Sequence, residues 1–262
     1  MQIEGKVFAV TGAGNGMGRE VALRIASKGG RVAAIDRDEQ ALARTVELSG
    51  APHLVSTHLG DVTDAEGVST LPDVIVKAHG QVDGLINIAG IIHRFTPSYE
   101  LSEEEQRRVM TVNFWGTVNM CQAFLPVLRS RPEALVTNMS SLSALVAFAG
   151  QTAYGASKGA VKQYTEGLYQ ELRGSSVHVN AIYPGNISTE ISKNSGVEMI
   201  GSGGKKVRAT TPHDAAREIV TGIERGRFRI LVGQDARLLD RLVRIAPRWT
   251  TDLIAKQMAS VL

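Results

Sequence analysis

Tyr154 and Lys158 stand four residues apart at the end of the stretch SLSALVAFAGQTAYGASK, which begins at Ser141. On a helix that spacing sets a phenol and an ammonium one above the other on the same face. A phenol titrates near ~10, so its use as a base at neutral pH requires a drop of ~3 units, about 4 kcal/mol of preference for the phenolate. One cation at ~4 Å supplies roughly that much at an effective dielectric of ~20. The pair can therefore pass a proton to or from a substrate oxygen. On a solvated helix face the same spacing would do nothing of the kind, so the rest of the chain has to say where the pair lies.

The elements around it read as an alternation of strands and helices. Lys6 to Thr11, KVFAVT, is a short apolar run, followed by the glycine-rich turn and amphipathic stretch GAGNGMGREVALRIASKGG. Strand, glycine turn and helix in that order open a nucleotide-binding βαβ unit, with backbone N–H groups at the helix start facing a pyrophosphate. Gly12 suits the tight turn, Gly16 a close approach of backbone to phosphate, and Gly18 the contact of helix with strand; Asn15 and Met17 share the turn and count with them as cofactor residues. The second strand, Arg31 to Ile35, runs into Asp36, ~20 residues past the glycines, where an acid binds the adenosine ribose hydroxyls. A carboxylate there repels a 2′-phosphate and favours NAD over NADP, whereas the adjacent Arg37 could accept one.

A third strand, Leu54 to His58, leads to Asp61 and Val62, the latter placed to cover an adenine ring, and then to a helix from about Asp64 to Ala78. The fourth, Val82 to Ile88, ends in Asn87, Ile88, Ala89 and Gly90, small enough to let backbone lie against a cofactor. Ser102 and Glu105 form a capping box ahead of a long helix that carries Asn113, with Pro126 expected as a kink or stop. The fifth strand, Ala134 to Met139, delivers Ser140 and Ser141. The helix from Gln151 to about Arg173 carries Tyr154 and Lys158. A sixth strand, Val177 to Tyr183, runs into Pro184, Gly185, Asn186, Ile187, Ser188 and Thr189. The glycine-rich, basic stretch from about 188 to 210 has no helical or strand period and reads as a mobile substrate loop. Thr211 and Pro212 start another helix, and Phe228 to Val232 makes a seventh strand. The expectation is an α/β fold: a Rossmann-like, doubly wound, seven-stranded parallel sheet with helices on both faces, one domain over residues 1–262, with its site along the carboxyl edge.

Composition narrows the partners. A net charge of +3 is small for a nucleic-acid binder of this length, and one cysteine, Cys121, excludes an internal disulfide framework and suits a reducing compartment. With no basic and apolar leader and no run of ~18 apolar residues, the protein is expected to be soluble and cytoplasmic. The sequence offers no cluster of metal ligands.

TGAGNGMG, Asp36, the DV at Asp61, NIAG at Asn87, Asn113, the serine pair, YGASK and PGNIST stand in an order that resembles the classical short-chain dehydrogenases/reductases, over roughly Lys6 to Val232. The resemblance implies an NAD(H)-dependent oxidoreductase that interconverts a secondary alcohol and a ketone. It implies Tyr154 as general acid/base, Lys158 lowering its pKa and binding the nicotinamide ribose, and Ser141, thirteen residues before the tyrosine, holding the substrate oxygen, with Ser140 the alternative. Asn113 would position a water linking Lys158 to solvent. Asn87, Ala89 and Gly90 would lie along the cofactor, and Pro184, Gly185, Ile187 and Thr189 would hold its nicotinamide end. The other readings are an NADP(H)-dependent 3-oxoacyl reductase and a dinucleotide-binding sensor without chemistry. A homodimer or homotetramer is implied as well.

Two departures stand out. NIAG replaces the commoner NNAG, and the carboxyl end continues past the seventh strand as a basic amphipathic extension from about 234 to 262. There Leu238, Leu239, Leu242, Val243 and Ile245 alternate with Arg237, Arg241, Arg244 and Arg248, as in a terminal helix packed on the body or on a second subunit; contact with a membrane surface is the other use of such a face. The segments expected to line the substrate pocket, Ile91 to Thr96 and Leu142 to Phe148, are mostly apolar, His93 and Arg94 excepted, which points to a hydrophobic, steroid-like or acyl-chain alcohol or ketone.

Overall fold

Short β-branched runs become buried parallel strands, and the amphipathic runs between them become the helices that cover the sheet. In the structure, a computed structural model that describes residues 1–188, 191, 195 and 209–258, the order is β1 (Val7–Thr11), α1 (Gly16–Ala26), β2 (Arg31–Asp36), α2 (Glu39–Leu48), β3 (Val55–Leu59), α3 (Ala65–His79) and β4 (Gly84–Asn87). It continues through α4 (Glu103–Met110), a π-helical turn at Thr111–Trp115, α5 (Gly116–Arg129), β5 (Ala134–Met139), α6 (Thr152–Glu171) and β6 (Val177–Pro184). It closes with α7 (Pro212–Glu224), β7 (Arg229–Val232), α8 (Gln234–Ile245) and α9 (Pro247–Met258).

The seven strands form one parallel sheet in the order β3-β2-β1-β4-β5-β6-β7. The chain winds outward from β1 to β3, then returns to place β4 on the other side of β1. That reversal opens a crevice at the carboxyl ends of β1 and β4, where ligands of such sheets bind.

The two-residue period of β1 divides the core. Phe8 and Val10 pack with Val21 and Ile25 of α1 and Ile219 and Ile223 of α7, while Val7 and Ala9 face Ile75 of α3 and Met120, Phe124 and Leu128 of α5. Below the sheet, Asp83 is fully buried and completely engaged: it accepts from Val7 N at 2.9 Å, Gln81 Nε2 at 2.7 Å and Arg131 Nε at 2.9 Å. It joins the amino ends of β1 and β4 to the turn after α5, away from the ligand edge.

The helices start where short polar side chains cap them. Asp38, Asp64, Ser102 and Thr211 each accept from the backbone N–H three residues on, and Ser102 with Glu105 completes the capping box. The long helix departs from expectation at one point. Pro126 does not stop it: with Phe124 and Leu128 packed in the core, α5 runs on to Arg129. The irregularity lies earlier, in the π-helical turn around Asn113.

The carboxyl extension folds into α8 and α9, and α8 is tied to the body. Arg237 pairs with Glu218 at 2.6 Å, and the buried Asp240 takes both Arg229 at 2.8 Å and Arg244 at 3.1 Å. Packing on the body therefore accounts for Arg237 and Asp240, Arg244 pairs within α8 itself, and Leu238, Arg241, Ile245, Arg248 and Trp249 remain exposed. Among the described residues no helix is long and apolar enough to cross a membrane. Most of the stretch from 188 to 210, and residues 259–262, lie outside the described residues.

Candidate active site

The cleft at the β1/β4 reversal is lined at one end by Asp36, Arg37, Asp38, Gly60, Asp61 and Val62, in the middle by Gly12 and Asn15 to Gly18, and at the other end by Ile88 to Ile91 with Val112 and Ile191. The middle is bare backbone by construction. Gly12 and Gly16 have φ of +68° and +52°, the left-handed region that a side chain disfavours. A Cβ on Gly18 would fall 2.0 Å from the Gly12 carbonyl oxygen, so helix α1 can sit this close to β1 only with glycine there. Unlike the capped helices, α1 receives no side-chain hydrogen bond from its N-cap residue, Asn15, and its first N–H groups face the cleft.

The adenosine end is acidic. Asp36 is half-buried at the tip of β2; Oδ2 accepts from Gly14 N at 2.9 Å and Oδ1 from Asp38 N at 3.2 Å. Asp61 is fixed by Thr63, whose N and Oγ1 both donate to Oδ1. Three carboxylates line this end beside a single arginine, Arg37. An uncapped helix start, a side-chain-free cradle and fixed carboxylates at ribose distance along the sheet edge are the features a dinucleotide requires, and the residues present fit one.

Behind Gly90, at the other end, lie Ser141, Tyr154 and Lys158, the residues expected to handle a proton. Ser140 Oγ donates to the Lys158 carbonyl at 2.8 Å, whereas Ser141 Oγ accepts from Ser143 N and lies near enough to the Tyr154 phenol to lower its pKa. Lys158 Nζ lies 6.0 Å from the centre of the Tyr154 ring and donates to the Met139 carbonyl at 3.0 Å. Gly90 closes the group, since a Cβ there would stand 3.1 Å from Lys158 Nζ and 3.0 Å from Asn113 Oδ1.

The electrostatics differ from the simple expectation. Burial pushes the Tyr154 phenol above its ordinary value, with Ser141 acting in the opposite direction, and burial pushes Lys158 down to about 8. Desolvation, which disfavours each charged form, is the leading cause for both groups. The ammonium is held by the Met139 carbonyl, a contact that the four-residue spacing gave no sign of.

Asn113 is fully buried in the π-helical turn. Its Oδ1 accepts from Ile91 N at 2.8 Å, and its Nδ2 donates to Ile91 O at 3.0 Å and Ser157 Oγ at 2.9 Å; Ser157 in turn donates to the Tyr154 carbonyl at 2.7 Å. Asn113 thus couples the loop after β4 to the helix that carries Tyr154 and Lys158. Asn87 turns inward, donating to Asn138 Oδ1 at 2.9 Å, so only its backbone borders the ligand edge.

Residues 6–199 match the short chain dehydrogenase family. The chain belongs to that family. As a short-chain dehydrogenase it is an NAD(P)-linked oxidoreductase with a Rossmann-like sheet. It is 35% identical to the protein named SadH of Mycobacterium tuberculosis, over 98% of this chain and 96% of that one. Two solved structures are similar at a TM-score of 0.83 and 28% identity: a short chain dehydrogenase/reductase from Burkholderia phymatum in complex with NAD, covering 95% of this chain and 96% of that one, and a short chain dehydrogenase from Burkholderia cenocepacia in complex with NADP, covering 97% and 99%.

In this short-chain dehydrogenase Pro184 ends β6, and Gly185 and Asn186 meet a residue that sequence reading missed. Asp235, in the first turn of α8, accepts from Asn186 N at 2.6 Å and packs so closely that a Cβ on Gly185 would overlap it. Ile187 bridges to Thr210, and Thr189 lies outside the described residues. Thr11, Ser157 and Ile191 were also missed. Thr11 Oγ1 accepts from both Ile88 N and Ala89 N and so fixes the strand end that carries NIAG. A hydroxyl at the end of an apolar strand was the signal for Thr11; a partner fifty residues away left none for Asp235.

Proposed function

We propose that this enzyme interconverts a secondary alcohol and a ketone with NAD(H), using Tyr154 as general acid/base. The observation that carries the reading is that Lys158, with Tyr154 and Ser141 beside it, stands against Gly90, which lines a cleft whose other end is lined by Asp36, Asp38 and Asp61.

A bound nicotinamide would accept the hydride from the alcohol carbon, or return it to the ketone. Ser141, beside the phenol whose pKa it lowers, orients the substrate oxygen. In the ketone-reducing direction Tyr154 gives its hydroxyl proton to that oxygen; a phenol whose pKa is raised holds this proton at neutral pH. In the oxidising direction the same oxygen takes the alcohol proton, which requires that the phenolate be favoured once the site is filled. Lys158, mostly charged at pH 7 with its pKa near 8, is the adjacent cation that can provide this. Asn113 and Ser157 hold the Tyr154 backbone in place.

The preference for NAD over NADP rests on charge. A 2′-phosphate would enter an end lined by three carboxylates and one guanidinium. Arg19, the other cation close to this turn, is engaged with Thr45 and the Gly14 carbonyl. Buried Ile91, Ile92, Leu142 and Val146, from the segments that flank the site, support a substrate of the apolar class. A screen of apolar secondary alcohols and ketones, following NADH absorbance, tests the assignment: turnover with NAD(H) and little with NADP(H) is expected, and the absence of turnover with either cofactor across the screen would sink it.

A further inference from the structure

Gln151 precedes Tyr154 by three residues and Lys158 by seven, so the three share one face at the start of α6. Gln151 and His93 are 5% and 4% exposed, and each keeps a polar atom that meets no partner among the described residues: Gln151 Oε1 and His93 Nε2. Buried polar atoms of this kind call for a physical explanation.

The chemistry of both atoms follows from their other ends. His93 Nδ1 lies 2.7 Å from the Arg94 carbonyl, which can only accept, so in the neutral ring Nδ1 carries the proton and Nε2 presents a lone pair. Gln151 Nε2 donates to the His93 carbonyl at 2.9 Å, which fixes the amide and leaves Oε1 as an acceptor. Two acceptors, joined through the His93 backbone, therefore stand at the amino end of the helix that carries Tyr154 and Lys158, and the loop that bears His93 directly follows the residues lining the cleft. What fits such a pair is a donor.

Resting on the redox reading above, we infer that Gln151 and His93 form a polar recess in an otherwise apolar substrate site and select a secondary alcohol or ketone that carries a second hydroxyl close to the reacting carbon. One helical turn separates Gln151 from Tyr154, about 4.5 Å along the axis, which suits a hydroxyl on a neighbouring carbon or the next one along. The recess deepens the apolar assignment without reversing it: the body of the substrate meets Leu142 and Ile92, and one O–H is read.

The test compares three alcohols of similar shape: cyclohexanol, the vicinal cyclohexanediols, and the monomethyl ether of the same diol, which keeps the oxygen and loses the donor. With wild type and saturating NAD, kcat/KM for at least one diol stereoisomer is expected to exceed that for both cyclohexanol and the ether by about tenfold, the effect of one neutral hydrogen bond. Gln151→Leu and, separately, His93→Leu should each collapse that ratio. His93→Leu leaves the bond between Gln151 and the backbone available, so a folding defect in one variant does not remove the test, and NADH fluorescence on binding reports whether each variant retains its cofactor site. Equal kcat/KM for the three alcohols, or a diol preference that survives both substitutions, overturns the recess and leaves the redox assignment standing. No oxidation of any of the three by wild type that binds NADH also overturns the recess, and the redox assignment then stands or falls on the wider screen.

Discussion

Lys158→Met should make the protein more stable while removing its activity. Lys158 is 3% exposed, and burial lowers its pKa from 10.5 to about 8. That difference corresponds to about 3 kcal/mol. Because the native pKa is depressed, the native state binds fewer protons than the unfolded chain between about 8 and 10.5, so this group raises stability as pH climbs through that window. Below pH 8 both states are charged and the full cost of burying the ammonium is felt. Methionine removes that cost but forfeits the hydrogen bond to the Met139 carbonyl, worth about 1 kcal/mol. The net gain at pH 7 is about 2 kcal/mol, a rise in Tm of about 4–8 °C for a chain of this size. The gain should shrink by about 2 kcal/mol between pH 7 and pH 9.5, as the wild-type penalty is relieved. Urea unfolding of both proteins at the two pH values measures it, and other titrating groups cancel in the difference. A variant less stable than wild type at pH 7, or a difference that does not change with pH, would refute the claim that this lysine is held at an energetic cost for function.

Asp36→Ala removes the carboxylate that borders the adenosine end and accepts from Gly14 N; NADH should bind about 10- to 100-fold more weakly by fluorescence titration, with NADPH losing less, and an unchanged NADH to NADPH ratio would contradict the charge argument. Asp235→Ala leaves the Asn186 N–H without its partner and frees the loop after β6; a loss of about 1–3 kcal/mol in urea unfolding is expected, together with a raised KM for NAD, whereas wild-type KM at reduced stability would confine Asp235 to a purely structural role.

The architecture was legible because its signals are local. Runs such as KVFAVT and ALVTNM are short, β-branched and bounded by turn residues, and capping residues at Asp38, Ser102 and Thr211 mark where helices begin. The site was legible in outline, since strand ends deliver residues to one edge whatever their side chains do afterwards. What the residues do there depends on assembly. The π-helical turn exists where Asn113 bonds across to Ile91, twenty-two residues away. Ser140 and Ser141 are alike in sequence, and only the turn after β5 sends one to the Lys158 carbonyl and the other to the phenol. Burial, which shifts both Tyr154 and Lys158, belongs to the packed protein and has no signature in a four-residue spacing. Asn87 shows the same limit: its motif places the backbone, and the core takes the side chain.

The central claim is that Tyr154 moves the proton in a hydride-transfer reaction at this cleft. Tyr154→Phe preserves the ring and removes the hydroxyl alone. Single-turnover NADH oxidation with a ketone identified in the screen, measured alongside NADH binding, isolates that hydroxyl: the account predicts binding within about twofold of wild type and a rate lower by at least ~10²-fold. A variant that turns over at the wild-type rate would contradict it.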